Sequence, residues 1–443
     1  MAKILFIQNC YYELIGIASI SAYIKSKHQS FVVYGASGDI VERYRSLKPD
    51  VVGIYATTKD HAWLSNIAAL IKSVNKHAII MAGGPHVTFY NNAINDNNID
   101  IICIGEGEKP TLNLLNKIET NENYANVPSL WVKMNGKVYK NGLDTLLEQR
   151  EIPIPDRVIY NELTKIYEKN SLTVMCSRGC PFCCSFCSAK GYREMYGTKY
   201  YRMRTIKDVI AEIIYERNHR KIEIIKFQDD IFGMDKKWTE EFLIEYKRSV
   251  GCKFYCLLRA DLVDKVLLDK IEDAGCYRIG VGIESGDDNI RNKLLGKNLS
   301  ISTIMNFAKI MKGRNIKFHT FNMFGLPGED LANALKTLEL NIKISPDIAY
   351  STIFQPYPGT DYFLEEAKAR ILSPDFNQFK INYRYSKDAA QIQRLQKLFM
   401  LTVKFPMLAY FIPILVRLPL DGIYDKISQL SWLYFYKRNA LHS

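Results

Sequence analysis

No membrane-spanning helix is legible in this sequence, because such a helix requires roughly 20 consecutive apolar residues. The uncharged stretch Phe405–Val416 is twelve residues long and is interrupted by Pro406 and Pro413. The opening Met1-Ala2-Lys3-Ile4-Leu5-Phe6-Ile7 enters an apolar strand directly. It lacks the tripartite layout of a secretory signal, so a cytoplasmic protein is expected. Cysteine is too sparse for a disulfide scaffold, with ten in 443 residues. Five of them crowd between Cys176 and Cys187, which points to metal binding in a reducing compartment. Basic residues form no run resembling a nucleic-acid arm, and this argues against a nucleic-acid substrate. The net charge of +12 favours an anionic substrate or a membrane surface instead. The first strand is followed by Asn9-Cys10-Tyr11-Tyr12, so the glycine-rich turn of a nicotinamide dinucleotide site is missing. Internal repeats and low-complexity tracts are absent too. The 47% hydrophobic and 24% charged composition leaves no room for extensive disorder.

A chain of 443 residues accommodates two or three domains. Residues 1–118 alternate apolar runs (Lys3–Gln8, Phe31–Tyr34, Val51–Tyr55, Ala78–Met81, Ile99–Ile104) with amphipathic stretches such as Leu14–Lys25 and Ala62–Val74. Such alternation predicts parallel βαβ units and a doubly wound, Rossmann-like sheet. Ligands bind beyond the carboxyl ends of strands in such sheets. Those ends carry Asn9-Cys10, Thr57-Thr58, Gly83-Gly84-Pro85-His86 and Gly105-Glu106-Gly107-Glu108. A linker is expected over 119–170, with a hairpin turning at Asn135-Gly136 and a proline-rich stretch Ile152–Asp156. From 171 to 365 the alternation resumes, with strands expected at Leu172–Cys176, Glu223–Gln228, Lys253–Leu258, Arg278–Ile283, Lys317–Phe324 and Ile348–Phe354. Six βα units predict an open, partial (β/α)6 barrel rather than a closed eight-stranded one. Residues 366–443 read as helical. The fold class expected is therefore α/β with a helical C-terminal region.

The densest chemistry lies in Ser177-Arg178-Gly179-Cys180-Pro181-Phe182-Cys183-Cys184-Ser185-Phe186-Cys187. Cysteines separated by three and then two residues can wrap one corner of a cubane iron–sulfur cluster. Three thiolates leave one iron open, whereas a closed cluster takes four. Zinc would show recurring cysteine doublets, and none recurs downstream. Cys183 offers a competing register, since Cys180-Pro181-Phe182-Cys183 is itself a doublet. Cys180, Cys184 and Cys187 are preferred because Phe186 then precedes the last ligand.

With that triad, the chain resembles the radical S-adenosylmethionine (SAM) superfamily. The resemblance implies a [4Fe-4S] cluster on Cys180, Cys184 and Cys187 whose open iron is chelated by the methionine end of SAM. Reductive cleavage would then give a 5′-deoxyadenosyl radical. Phe186 would contribute to the adenine pocket. Asp229 and Asp230, after the second strand, would hold the methionine amino group, although this pair could also form a hard-metal site. Arg259 would pair with the methionine carboxylate. Glu284, with Ser285, would bind ribose, and the backbone at Gly325 to Pro327 would pair with adenine.

The front of the chain is similar to the cobalamin-binding branch of that superfamily. The similarity rests on Gly83-Gly84-Pro85-His86, Gly105-Glu106-Gly107-Glu108, Val127–Leu130 and Ile152–Asp156. It implies a cobalamin site drawn from Asn9, Cys10, Thr57, Thr58, Gly83, Gly84, His86, Gly105 and Glu106. The Asp-x-His-x-x-Gly motif that gives some cobalamin proteins a cobalt-ligating histidine is absent, and His86 reads better as a loop hydrogen-bonding residue. A front domain that only supports the barrel is the alternative.

The implied activity is methylation of an unactivated carbon in a small-molecule, lipid or peptide substrate, with cobalamin presented over the barrel mouth and a flavodoxin- or ferredoxin-type electron donor. Two alternatives are radical cyclisation, as in anaerobic porphyrin-ring cyclases, and a non-catalytic iron–sulfur protein. The tail, Leu398–Leu420 and Trp432–Arg438, is apolar, aromatic and edged with basic residues. It reads as helices packed on the barrel or as an interfacial segment on the inner face of a membrane.

Overall fold

The computed structural model describes residues 1–35, 38–166, 170–381 and 388–441. The side chains of 162–166 and 436–441, the latter in the aromatic tail, lie outside that description. The chain divides into two compact units. One comprises Met1–Ser171, Ser188–Glu212 and Tyr357–Phe376; the other comprises Leu172–Cys187, Ile213–Pro356 and Asn377–Ser443.

The first unit is built on strands β1 (Lys3–Gln8), β2 (Gln29–Tyr34), β3 (Val51–Tyr55), β4 (Ile79–Gly83), β5 (Ile101–Cys103), β6 (Leu130–Met134) and β7 (Lys137–Lys140). Helices α1 (Ile15–Ile24), α2 (Ile40–Leu47), α3 (His61–Val74) and α4 (Pro85–Phe89) connect the first five, and α5 (Glu108–Glu119) leads from β5 to β6. The strand order is β2-β1-β3-β4-β5-β6-β7. β1 to β5 pair in parallel and the last two antiparallel.

Alternate residues of each strand serve opposite faces, as a pleated strand must. Leu5, Ile7, Val52, Ile54 and Ile80 pack with Tyr44 of α2 and Leu64, Ala68 and Ile71 of α3. Ile4, Phe6, Val51, Met81 and Ile101 pack with Ile17 and Ala18 of α1 and Leu114 and Leu115 of α5. Both faces are covered, which explains why the strands read as continuous apolar runs. The order reverses between β1 and β3, creating a switch point at the carboxyl ends of the strands.

The hairpin expected at Asn135-Gly136 forms, with both residues at positive φ (51° and 74°), as a type I′ turn requires. It extends the sheet through β5–β6 pairing, so part of the span read as linker is sheet edge. Residues 188–212, including helix α6 (Ser188–Tyr196), and 357–376 belong to this unit as well. The reason is local: Phe89 lies where a Cβ on Gly191 or Gly359 would meet it at 2.6 Å, and Arg202 pairs with Glu106.

In the second unit, strands β8 (Ser171–Val174), β11 (Ile224–Phe227), β12 (Lys253–Leu258), β13 (Cys276–Glu284), β14 (Lys317–Phe324) and β15 (Ile348–Ile353) form one sheet in chain order. The two-residue strands β9 (Ser177–Arg178) and β10 (Arg202–Met203) fall between β8 and β11 in sequence. Among the described residues, β8 and β15 end the sheet on opposite edges; the arc is the open, partial barrel expected from six βα units. Its connecting helices are α7 (Ile206–His219), α8 (Lys236–Ser249), α9 (Lys265–Asp273), α10 (Ile301–Met311) and α11 (Leu331–Ile344). Asp235, Asp264, Ser300 and Asp330 cap α8 to α11 by accepting from backbone N–H groups three residues on, so short polar residues set where each helix begins. The chain ends with α12 (Glu365–Ile371), α13 (Ala389–Lys404), α14 (Ile412–Leu415) and α15 (Asp421–Leu441). α13 buries Ile392, Leu395, Phe399 and Val403 against Phe324, Leu338 and Ile353.

Candidate functional site

The cysteine loop leaves β8 and runs along the carboxyl ends of the barrel strands. Cys176 is buried, Cys180, Cys184 and Cys187 are half-buried, and Cys183 is exposed; all are free thiols. The loop is pinned internally, Ser185 N–H donating to Leu295 O at 3.0 Å and Cys187 N–H to Cys184 O at 3.1 Å. Burial raises the Cys180 thiol to about 11 and also raises that of Cys184, while Lys297 and Arg259 act in the opposite sense on Cys184. Arg259 stacks over Phe182 at 4.0 Å, and Lys297 stands 5.9 Å from the Phe186 ring.

Three half-buried thiols in one loop, with Arg259 beside Cys180 and Cys184 and Lys297 beside Cys184, suit an anionic iron–sulfur cluster, because thiolate ligands replace thiol protons on binding. Among the described residues, no three His, Cys, Asp or Glu side chains converge tightly enough for a single ion. A cubane needs a different arrangement, with its thiolates on separate irons.

The other expected positions meet the loop in different ways. Asp229 is buried and accepts from Cys176 N–H (3.2 Å), Ser177 N–H (2.6 Å) and the Ser177 hydroxyl (2.5 Å). Its oxygens are therefore spent on holding the entry to the cysteine loop. Asp230 is exposed and contributes to raising the Cys180 thiol.

Arg259 is committed to Asp261 at 2.8 and 3.1 Å and to the carbonyl of Lys297. Glu284 has φ +69°, a left-handed conformation costly for a residue with a Cβ, and ion-pairs with Lys297 at 2.8 Å. A Cβ on Gly282 would sit 2.3 Å from Glu284 Oε1 and 2.7 Å from Lys297 Nζ, so that glycine makes room for the pair. Ser285 is fully buried and its hydroxyl accepts from Asp287 N–H, which makes it a turn former.

At the end of β14, Gly325 has φ +74°. The N–H groups of Gly325 and Leu326 both donate to Glu329 Oε2, at 2.6 and 3.1 Å. Burial pushes the Glu329 carboxyl up to about 8. Pro327 is half-buried beside this turn. Sequence reasoning did not single out Phe182, Asp261, Lys297 or Glu329 as site residues. The Asp261 and Glu329 positions had a signal, since each lies in a strand-end motif already noticed; Lys297 lies thirteen residues beyond Glu284 and had none.

In the first unit the strand ends are tied to one another. Asp60 accepts from Asn9 Nδ2 (2.9 Å), Thr57 N–H (3.1 Å) and the Thr57 hydroxyl (2.5 Å), joining the β1 and β3 loops. Gln8 Nε2 donates to Cys10 O at 2.8 Å, and Thr58 is buried. His86 is buried, lies 3.0 Å from His61 Nδ1 and stacks on Tyr90; burial drops it to about 3. Its Nδ1 has no hydrogen-bond partner among the described residues.

Gly84 has φ +101°, and a Cβ there would meet Ala56 O at 2.7 Å, whereas a Cβ at Gly83 would meet nothing within 4 Å. Open backbone at a switch point fits the close approach of a large flat ligand. At the other end Gly105 is covered by Tyr196, whose hydroxyl lies 1.8 Å from where a Cβ would stand. Glu106 pairs with Arg202. Of the candidate cobalamin positions, Asn9, Cys10, Thr57, Gly83 and Gly84 are half-buried at the ends of β1, β3 and β4, Thr58 and His86 are buried, and Gly105 and Glu106 are engaged by Tyr196 and Arg202 at β5.

An open parallel barrel with a three-cysteine loop, preceded by a doubly wound sheet, defines an α/β enzyme organised around two cofactor sites. The Radical SAM superfamily matches residues 174–340, and the B12 binding domain matches residues 11–115. The chain is 28% identical over 361 residues to an uncharacterized methyltransferase of Pyrococcus horikoshii, covering 78% of this chain and 76% of that protein. It is 26% identical over 369 residues to the anaerobic magnesium-protoporphyrin IX monomethyl ester cyclase of Rubrivivax gelatinosus, covering 79% and 65%. The fold is similar to that of TsrM, a radical SAM methyltransferase from Kitasatospora setae solved with cobalamin and a [4Fe-4S] cluster, at TM-score 0.69, 16% identity and coverage of 83% and 78%. The chain belongs to the cobalamin-dependent radical SAM enzyme family. Its cofactors are a [4Fe-4S] cluster, SAM and cobalamin. No helix among the described residues is long and apolar enough to cross a membrane.

Proposed function

We propose that this enzyme methylates an unactivated carbon, with Cys180, Cys184 and Cys187 as the cluster ligands. The observation carrying the site is the set of three half-buried thiols in one loop, two of which, Cys180 and Cys184, lie near Arg259. When bound, the cluster and SAM supply radical chemistry and cobalamin supplies the methyl group.

The protein's own residues do the positioning. Asp229 holds the start of the cysteine loop. Arg259 and Lys297 place positive charge beside Cys184, favouring its thiolate. Glu284, oriented by Lys297, would hold the ribose of SAM; Phe186, Asp230 and the Gly325–Pro327 turn would complete that pocket, with the buried Ser285 forming the turn that follows Glu284. Asn9, Cys10, Thr57, Thr58, Gly83 and Gly84 would hold cobalamin, with His86, Gly105 and Glu106 supporting those loops. We assign 1–118 to cobalamin binding, 119–170 to a connecting segment, 171–365 to the barrel and 366–443 to the helical tail.

Methyl transfer is favoured by the relative named a methyltransferase. The cyclase relative supports a second reading, radical ring closure. A low-potential electron donor of flavodoxin or ferredoxin type and an unidentified organic substrate complete the reaction. The reading also includes a cytoplasmic location with peripheral contact between the C-terminal region and the inner face of a membrane.

The test is anaerobic reconstitution with iron, sulfide and hydroxocobalamin, followed by 5′-deoxyadenosine release under reducing conditions. Retained cobalamin with deoxyadenosine formed, and methylated products from candidate substrates, is the expected result. Deoxyadenosine formed without cobalamin retention would overturn methyl transfer.

A further inference from the structure

The C-terminal helices leave an unusual amount of apolar surface uncovered. Of the large apolar side chains exposed among the described residues, twelve lie between Phe405 and Tyr434. Eight belong to a short knuckle and the first turn after it: Phe405, Met407, Tyr410, Phe411, Ile414, Leu418, Leu420 and Ile423. Met407 is 79% exposed and Tyr410 85%, values expected of polar loop residues. Ile412, Val416 and Tyr424 of this region reach down into the core behind α13, with Leu415 and Ile427 packed partly against it. Pro406 and Pro413 break the apolar run, so it turns back on itself instead of extending. Along α15, Ile423, Lys426, Leu430 and Tyr434 recur at three- and four-residue spacing, which places them on one stripe.

Charge is sorted on the same surface. Between Lys404 and Arg438 the sequence has five basic and two acidic residues. Both acids are turned toward α13, Asp421 pairing with Arg394 at 3.0 Å and Asp425 with Lys397 at 2.8 Å. Arg417 and Lys426 are exposed and pair with no carboxylate among the described residues. The uncovered face is therefore apolar, aromatic and cationic, with its anions neutralised from behind. A large apolar patch of this kind marks a docking surface. Apolar residues with interspersed cations and interfacial Trp and Tyr match the chemistry of a lipid headgroup region.

We propose that the Phe405–Leu420 knuckle and the Ile423–Tyr434 stripe of α15 dock this enzyme on an anionic lipid surface. The proposal rests on the peripheral-contact part of the reading above, and is independent of its chemistry. Insertion of the knuckle supplies the apolar attraction, and Arg417 and Lys426 supply the preference for anionic headgroups. Each such cation contributes about 1 kcal/mol near the surface, or about fivefold in partitioning.

The full-length protein is sedimented with vesicles of phosphatidylcholine alone and with vesicles that also contain phosphatidylglycerol. The wild type should sediment with the anionic vesicles only. Arg417→Glu with Lys426→Glu should lower that partitioning at least about 25-fold, and Met407→Ser with Phe411→Ser and Ile414→Ser should abolish it. Deoxyadenosine release without vesicles should be unchanged in both variants, which shows that they fold and separates failure of docking from failure of the radical chemistry. A wild type left in the supernatant would overturn the proposal, as would a triple-serine variant that sediments normally. Light scattering that finds a wild-type dimer, made monomeric by the same serine substitutions, would assign the face to a second copy of the chain instead.

Discussion

Cys183 and Cys184 are adjacent in the chain and differ in their surroundings. Cys183 is exposed, whereas Cys184 is half-buried beside Arg259 and Lys297. Cys184→Ala should abolish cluster assembly and Cys183→Ala should preserve it, measured as bound iron and sulfide and the cluster's visible absorbance. Loss of the cluster in Cys183→Ala would reverse the register. Glu329 allows a pH test. Its carboxyl rises from 4.5 to about 8 in the folded state, so the folded protein binds the extra proton. The stability it contributes is full below pH 4.5 and lost as pH rises through about 8, by up to about 5 kcal/mol. Glu329→Gln keeps an oxygen for the Gly325 and Leu326 N–H groups, and should flatten unfolding free energy across that window in denaturant titrations. An unchanged pH slope would place the titration elsewhere.

At the scale of elements, the barrel depends on how strand ends are tied. Asp229, just beyond β11, accepts two backbone N–H groups and a hydroxyl from the segment after β8. Asp229→Ala strands those buried donors at about 1–3 kcal/mol each. Lower denaturant midpoints with reduced iron loading are expected; a stable variant with a full cluster would show that the clamp is dispensable. Gly286, just beyond β13, packs against α11, and a Cβ there would lie 2.2 Å from Lys336 O and 2.6 Å from Thr337 Cα. These are backbone atoms that cannot swing aside, so Gly286→Ala should cost about 3 kcal/mol in urea unfolding.

For the whole molecule, the proposed cobalamin positions fall in the first unit and the proposed cluster and SAM positions in the second, so each site should be removable alone. Asp60→Ala frees Asn9 and Thr57 and should weaken cobalamin retention about tenfold, the equivalent of about one hydrogen bond. Iron content and deoxyadenosine release should remain at wild-type levels. Loss of the cluster in that variant would mean that the sites are coupled.

Sequence alone determined the class of fold, the crowding of five cysteines into one short segment and most element positions, because these depend on local signals. Strands buried on both faces must be apolar throughout, Asn135-Gly136 is itself the turn, and the proposed cluster ligands are close neighbours in the chain. The tertiary structure decided which polar groups meet. Lys297 reaches Glu284 from another loop, Asp60 ties Asn9 to Thr57, and Arg202 occupies Glu106. It also decided that Glu329 receives the Gly325 N–H, and that the tail exposes its apolar residues with its acids turned toward α13. Such pairings depend on loops brought together by strands far apart in the chain, and residue order within either loop carries no trace of the partner.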